Sequence, residues 1–208
     1  MTEEILITGG AGFIGSNLAN SFLDKGKSVT ILDNLCRNGS QINIEWLKST
    51  RGKLNIIEGD VRNSTDVEKC IEGKDVVIHL AAQVAVTTSV NDPRIDFEVN
   101  ALGTLNVLEA VRKHNPKAIV LYSSTNKVYG EMTNIDVVEK ETRHDYKNLN
   151  GVSENQPLDF HSPYGCSKGA ADQYMHDYHR IYGINTIVFR QSCIYGPRQF
   201  GIEDQGWI

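Results

Sequence analysis

No run of apolar residues in this sequence is long enough to cross a bilayer, so neither a membrane-spanning helix nor a membrane partner is expected. The N-terminus, Met1-Thr2-Glu3-Glu4, does not read as a secretory signal. Cysteine is sparse and scattered. Cys36, Cys70, Cys166 and Cys193 form no C-x-x-C pair and read as reduced thiols of a cytoplasmic protein, and no metal site is expected. Positive charge is not in excess: 21 Lys and Arg stand against 26 Asp and Glu, a net charge of −5, which argues against a nucleic-acid partner. Internal repeats and low-complexity tracts are also lacking. What remains is an ordinary globular composition, 40% hydrophobic and 23% charged, in a chain of 208 residues, ample for one core and tight for two.

The most informative stretch is Thr8-Gly9-Gly10-Ala11-Gly12-Phe13-Ile14-Gly15. An apolar run, Ile5-Leu6-Ile7, precedes it, and Phe13, Ile14, Leu18, Phe22 and Leu23 follow at helical spacing. Strand, glycine turn and helix in that order form the context of a dinucleotide fingerprint, here G-x-x-G-x-x-G. Gly9 serves the tight turn, Gly12 lets a pyrophosphate approach the backbone, and Gly15 lets the helix pack on the strand. The N-terminus of that helix, with Phe13 and Ile14, then faces the phosphates.

A second strand, Ser28 to Leu32, ends in Asp33-Asn34. A carboxylate there is placed to accept from the adenosine ribose hydroxyls, which favours NAD over NADP, while Arg37 is the one residue nearby that suits a 2′-phosphate. A third strand, Leu54 to Val61, brings Asp60 to the adenine amino group and Val61 to the ring. Thr65 to Glu72 is a short helix candidate. Asp75 to Ala82 reads as a strand buried on both faces, with small residues, Ala81 and Ala82, after Leu80 to let a cofactor lie against the backbone. His79 inside it reads as a core histidine. Asp96 to His114 is predicted as one long helix that carries Asn100, and Ala118 to Tyr122 as the strand before Ser123-Ser124-Thr125. The polar stretch 131–163 is expected to cover the active site. Ser167 to Tyr182 returns to helix and Thr186 to Phe189 to strand. Alternation throughout gives an α/β fold with a Rossmann-type, doubly wound parallel sheet.

Tyr164 and Lys168 lie four residues apart and share a helix face. An ammonium beside a phenol favours the phenolate, so the spacing predicts a tyrosine of lowered pKa that removes a hydroxyl proton near neutral pH. Thr125 ends the preceding strand and can bond the same substrate oxygen.

Thr8 to Gly15, Asp33-Asn34, Asp60-Val61, Ser123-Ser124-Thr125, Val128-Tyr129-Gly130 and Tyr164-x-x-x-Lys168 together resemble the extended short-chain dehydrogenases/reductases. That resemblance covers the whole chain and implies a tightly held NAD and a redox step on a sugar hydroxyl. It implies a cofactor site of Gly9, Gly12, Phe13, Ile14, Gly15, Asp33, Asn34, Arg37, Asp60, Val61, Leu80, Ala81, Ala82, Asn100, Ser123, Tyr164 and Lys168. It also implies catalysis by Thr125, Tyr164 and Lys168, and a substrate face of Thr87, Ser89, Thr125 and Gln191. The 4,6-dehydratases of that family carry Asp-Glu directly after the catalytic Ser/Thr; here Asn126-Lys127 stands there. The UDP-galactose 4-epimerases tend to carry a lysine where Val84 stands.

The runs Ser124 to Gly130, Leu158 to Tyr174 and Arg198-Gln199-Phe200 are similar to those of the CDP-tyvelose epimerases (CDP-paratose 2-epimerases) within the family. The likeness implies inversion at C2 of a CDP-3,6-dideoxyhexose through a 2-keto sugar. It also implies a homodimer, paired through the helices with Leu105, Leu108, Tyr174, Met175 and Tyr178. A second, smaller substrate domain is expected to begin near 196–208 and to be largely absent from this chain, which stops at Ile208. Other nucleotide-sugar epimerases or reductases, and a non-catalytic dinucleotide sensor, stay open as alternatives.

Overall fold

The computed structural model describes residues 3–201. Its centre is a six-stranded sheet in the order β3-β2-β1-β4-β5-β8, with every neighbouring pair parallel. The strands are β1 (Glu4–Thr8), β2 (Ser28–Asp33), β3 (Lys53–Glu58), β4 (Val76–His79), β5 (Ile119–Thr125) and β8 (Asn185–Gln191). The expected doubly wound sheet is therefore present.

Strand alternation divides the core in two. Ile5 and Ile7 of β1 join Val29 and Ile31 against α1 (Phe13–Asp24) and α2 (Ser40–Lys48). Leu6, from the same strand, joins Leu32, Val77, Val120 and Tyr122 against α3 (Ser64–Ile71), α6 (Gly103–His114) and α7 (Ser162–Tyr182). Both faces are covered, so the strands read as near-continuous apolar runs.

Several elements differ from the sequence reading. The strand expected over 75–82 stops at His79, because Leu80 to Gln83 leave the sheet to edge the cleft. The single helix expected over 96–114 is broken. A short helix α4 (Val86–Asn91) leads to α5 (Pro93–Phe97), whose N-terminus is capped by the Asp92 carboxylate accepting from the Ile95 N–H. A π-helical turn, Glu98–Leu102, then separates α5 from α6. Helix α7 begins at Ser162, so Tyr164 lies in its first turn. The stretch 131–163 holds a small antiparallel hairpin, β6 (Val137–Glu139) with β7 (His144–Tyr146). No helix among the described residues is long and apolar enough to cross a membrane.

Three of the residues expected at a subunit contact are committed elsewhere. Leu108, Met175 and Tyr178 are buried in the chain's own core, because α6 and α7 pack on each other and on the sheet. Tyr174, Ile181 and Tyr182 are the large apolar and aromatic side chains exposed on α7.

Candidate active site

Strand order reverses between β1 and β4, and an open parallel sheet binds its ligand in the crevice beyond the strand ends at that point. A cleft of about 980 Å³ lies there, lined from the glycine loop at one end to Thr125, Tyr164 and Lys168 at the other.

The glycine loop is shaped by what side chains would strike. Gly9 has φ +70°, and a Cβ there would come within 2.7 Å of the Ala81 nitrogen. A Cβ on Gly15 would meet the Gly9 carbonyl oxygen and, at 2.6 Å, the Gly10 Cα. Gly12 caps α1 with no side chain bonded over the helix end, and a Cβ there would meet only the Gly9 oxygen, at 3.2 Å. The start of α1 is thus bare backbone opening on the cleft, the arrangement that receives a pyrophosphate.

Asp33 closes the loop from the side. Its carboxylate accepts from the Ala11 N–H at 2.9 Å and the Leu35 N–H at 2.9 Å. Burial is the largest influence on it and raises its pKa above the ordinary carboxylate value, against the pull of those bonds and of Arg37. Asp60 accepts from Arg62 at 2.7 and 3.0 Å and from Asn34 Nδ2 at 2.9 Å. The Arg62 bonds are the main reason its pKa falls to about 2. Asn34, Arg37, Val61, Leu80, Ala81 and Ala82 also line the cleft.

At the far end, Lys168 is buried. Its ammonium donates to the Ser123 carbonyl at 2.6 Å and lies 4.3 Å from the centre of the Tyr122 ring. Burial pulls its pKa down to about 7, opposed by the charges of Asp96 and Asp172. Tyr164 departs from expectation: burial raises the phenol above its ordinary value, the Thr125 hydroxyl bond lowers it in part, and Asp96 adds to the rise. The expected lowering by Lys168 is absent; that ammonium is directed to the Ser123 carbonyl instead. Ser123 donates to Gln191 Oε1 at 2.9 Å, and both line the cleft, as does Thr87.

Two predicted site residues are not in the cleft. Ser89 is fully buried; its hydroxyl donates to the Val86 carbonyl and accepts from the Tyr164 N–H at 3.1 Å, so it holds the first turn of α7. Asn100 is buried in the π-helical turn, accepting from the Gln83 N–H at 2.9 Å and donating to the Gln83 carbonyl, Asp96 and Ser167. The stretch 131–163 contributes no residue to the cleft lining. Asp159 and Phe160 instead pack on Gly130 and Gly169.

Other contributors went unread in the sequence. Asp172 is buried beneath β5, paired with the Arg190 guanidinium at 2.9 and 3.0 Å and accepting from Ser124 at 2.7 Å. The segment after β8 crosses the adenosine end. Asn17 donates to the Pro197 carbonyl at 2.9 Å, Asn43 to that of Arg198 at 3.4 Å, and the Arg198 guanidinium lies 4.2 Å from the Trp46 ring centre. The rest of the region expected to begin a substrate domain, 202–208, lies outside the described residues.

This arrangement agrees with the comparisons. Residues 6–203 match the family model described as GDP-mannose 4,6 dehydratase. The chain belongs to that family. Its members include extended short-chain dehydrogenases/reductases of differing chemistry, and the relatives of this chain span several. It is 53% identical over 208 residues to a CDP-paratose 2-epimerase of Salmonella typhi, covering 99% of this chain and 61% of that one. It is 40% identical over 197 residues to a putative UDP-glucose 4-epimerase of Methanocaldococcus jannaschii, covering 94% and 57%. Among solved structures, the UDP-glucose 4-epimerase of Thermus thermophilus in complex with NAD superimposes with a TM-score of 0.74 at 34% identity, covering 95% of this chain and 57% of that one. The chain thus spans about three-fifths of the length of the relatives it matches.

Proposed function

We propose that this chain forms the cofactor-binding and catalytic part of an NAD-dependent nucleotide-sugar epimerase of the cytoplasm, acting at C2 of a CDP-3,6-dideoxyhexose and interconverting CDP-paratose and CDP-tyvelose. The observation that carries the reading is the single cleft shared by the bare α1 N-terminus, Asp33 and the trio Thr125, Tyr164 and Lys168. The choice of C2 and of a CDP-sugar rests on the 53% identity to the Salmonella typhi enzyme. Asn126 and Lys127 supply no acid pair for water elimination, so the dehydratase chemistry of the family's name is not proposed here. The four cysteines are unpaired, as a reducing compartment would have them. A homodimer is proposed through the exposed Tyr174, Ile181 and Tyr182 of α7.

The residues fit NAD. Gly12 leaves the α1 N-terminus open to a pyrophosphate, and the Asp33 carboxylate at the end of β2 suits a free ribose diol and repels a 2′-phosphate. When bound, NAD⁺ would supply a reversible hydride acceptor. Tyr164 takes the proton of the C2 hydroxyl at its phenolic oxygen and returns it after inversion. A phenol raised by burial is a strong base once ionised; the Thr125 hydroxyl bond favours the ionised form, and Lys168 holds the end of β5 through the Ser123 carbonyl. The 2-keto sugar turns over within the cleft and presents its other face, so the net reaction is redox-neutral.

The test is to offer the full-length protein, not residues 1–208 alone, CDP-paratose and UDP-glucose separately and follow inversion at C2 and C4 by NMR. Inversion of CDP-paratose at C2 is expected. Inversion of UDP-glucose at C4 alone would favour a 4-epimerase, and no turnover of either would favour a sensor.

A further inference from the structure

The turn of α7 that carries Tyr164 and Lys168 is held from one side by α4 and α5. The Tyr164 N–H, unpartnered within its own helix at that first turn, donates to Ser89. Three residues on, the Ser167 hydroxyl donates to Asp96 at 2.5 Å. Asp96 is fully buried and also accepts from Gln83 Nε2 at 2.8 Å and Asn100 Nδ2 at 3.1 Å. All three donors are neutral. A buried carboxylate is costly without a compensating charge, and Lys168, the residue after Ser167, is a buried cation within its field.

We propose that Asp96 is a positioning residue for the catalytic pair: through Ser167 it fixes the α7 turn that bears Tyr164 and Lys168, and its carboxylate favours the protonated form of the buried Lys168. The π-helical turn is part of the device, because it turns Asn100 inward to bond Asp96, Ser167 and the Gln83 backbone together. Other groups face the pair and stay constant in the test. Lys168 is faced by Asp172 on α7, Tyr122 on β5 and His79 on β4. Asp172 is itself neutralised by Arg190. Asp96 is faced by Tyr164 and Tyr122, while α4 carries no titratable residue and the neighbouring Glu98 is paired with Arg94.

The role in turnover rests on the epimerase reading; the charge relation does not. The experiment therefore reads Lys168 directly, by NMR titration of protein carrying [¹³Cε]lysine, with Lys168→Arg to assign the signal. Asp96→Asn keeps the volume, and Ser167 can still bond it by accepting from the amide while donating to the Tyr164 carbonyl it already faces at 3.2 Å. The Lys168 titration is expected to fall by about one pH unit or more in Asp96→Asn. Ser167→Ala keeps the charge and cuts the tether; the titration is expected to stay in place while kcat falls about tenfold with KM little changed. An unmoved titration in Asp96→Asn, or an equal shift in Ser167→Ala, overturns the proposal. Should Asp96→Asn not fold, Asp96→Ser carries the same test. If the titration moves in a protein that inverts no sugar, the epimerase reading fails and the charge relation stands.

Discussion

At the end of the cleft built from β1, α1 and β2, the chain makes its site by leaving side chains out. Gly9, Gly12 and Gly15 bring backbone against backbone, and the Asp33 carboxylate is drawn into the loop, bonded to main-chain N–H groups. At the other end, where β5 meets α7, the site is made by putting polar side chains in. Lys168, Asp172, Asp96, Asn100 and Ser167 are all buried; Asp96, Asn100 and Ser167 bond one another, Lys168 bonds the Ser123 backbone, and Asp172 bonds the side chains of Ser124 and Arg190. The first design recognises a ligand by shape and by bare N–H groups. The second fixes a reactive pair within about one helical turn, and its stability depends on every buried partner being present.

The largest effect expected from breaking that contrast is on turnover. Tyr164→Phe and Lys168→Met each remove one half of the reactive pair, and kcat should drop by about 10²–10⁴-fold while NAD, held mainly at the glycine end, still co-purifies. Steady-state kinetics together with cofactor absorbance of the purified variants checks this; loss of NAD in both would mean that the two ends do not act separately.

Stability should respond next. Asp172→Ala removes the buried carboxylate that the partly exposed Arg190 guanidinium pairs with at 2.9 Å and that accepts from Ser124, and should destabilise the fold by about 1–3 kcal/mol in urea denaturation. Replacing an exposed pair such as Lys48–Glu45 should leave the urea midpoint almost unchanged.

His79 links the two regions and gives a pH signature. Thr104 donates its hydroxyl proton to the Asn100 carbonyl, so the His79 Nε2–H must donate to Thr104, and Nδ1 then accepts from Thr8. That is a neutral imidazole, and burial holds its pKa down to about 3. The unfolded chain binds this proton near pH 6.5, so the stabilisation is complete above that value and is lost as pH falls toward 3. The expected slope is about 1.4 kcal/mol per pH unit. Urea midpoints between pH 6.5 and 4.5 should show it, and His79→Gln should flatten it.

The smallest effect belongs to the cofactor's ribose. Asp33→Ser removes the charge that opposes a 2′-phosphate and should bring the NAD and NADP dissociation constants at least tenfold closer in competition titration.

The glycine end was legible in the sequence because its signal is local: Gly9, Gly12, Gly15 and Asp33 lie on consecutive elements at fixed spacing. Thr125, Tyr164 and Lys168 were legible for the same reason, as a strand end and one helical turn. The supports were not. Asp96 meets Ser167 across 71 positions, Ser124 meets Asp172 across 48 and Ser89 meets Tyr164 across 75, and no periodicity encodes such meetings. Ser89 and Asn100 were expected as ligand contacts from the family resemblance, whereas the α4–α5 corner and the π-helical turn direct them inward. A π-helical turn escapes a 3.6-residue pattern, so 96–114 read as one helix. The phenol's pKa was misjudged because spacing reveals a neighbouring charge but not burial, which here outweighs it.

The central claim is that both ends of the cleft act on one sugar carbon by removal and return of the same hydride. The direct test is to incubate the protein with CDP-paratose deuterated at C2 and examine the product by NMR and mass spectrometry. The account predicts CDP-tyvelose that keeps its deuterium at C2, with none exchanged into water. Product carrying solvent hydrogen at C2 would show that a proton, not a hydride, leaves that carbon, and would contradict it.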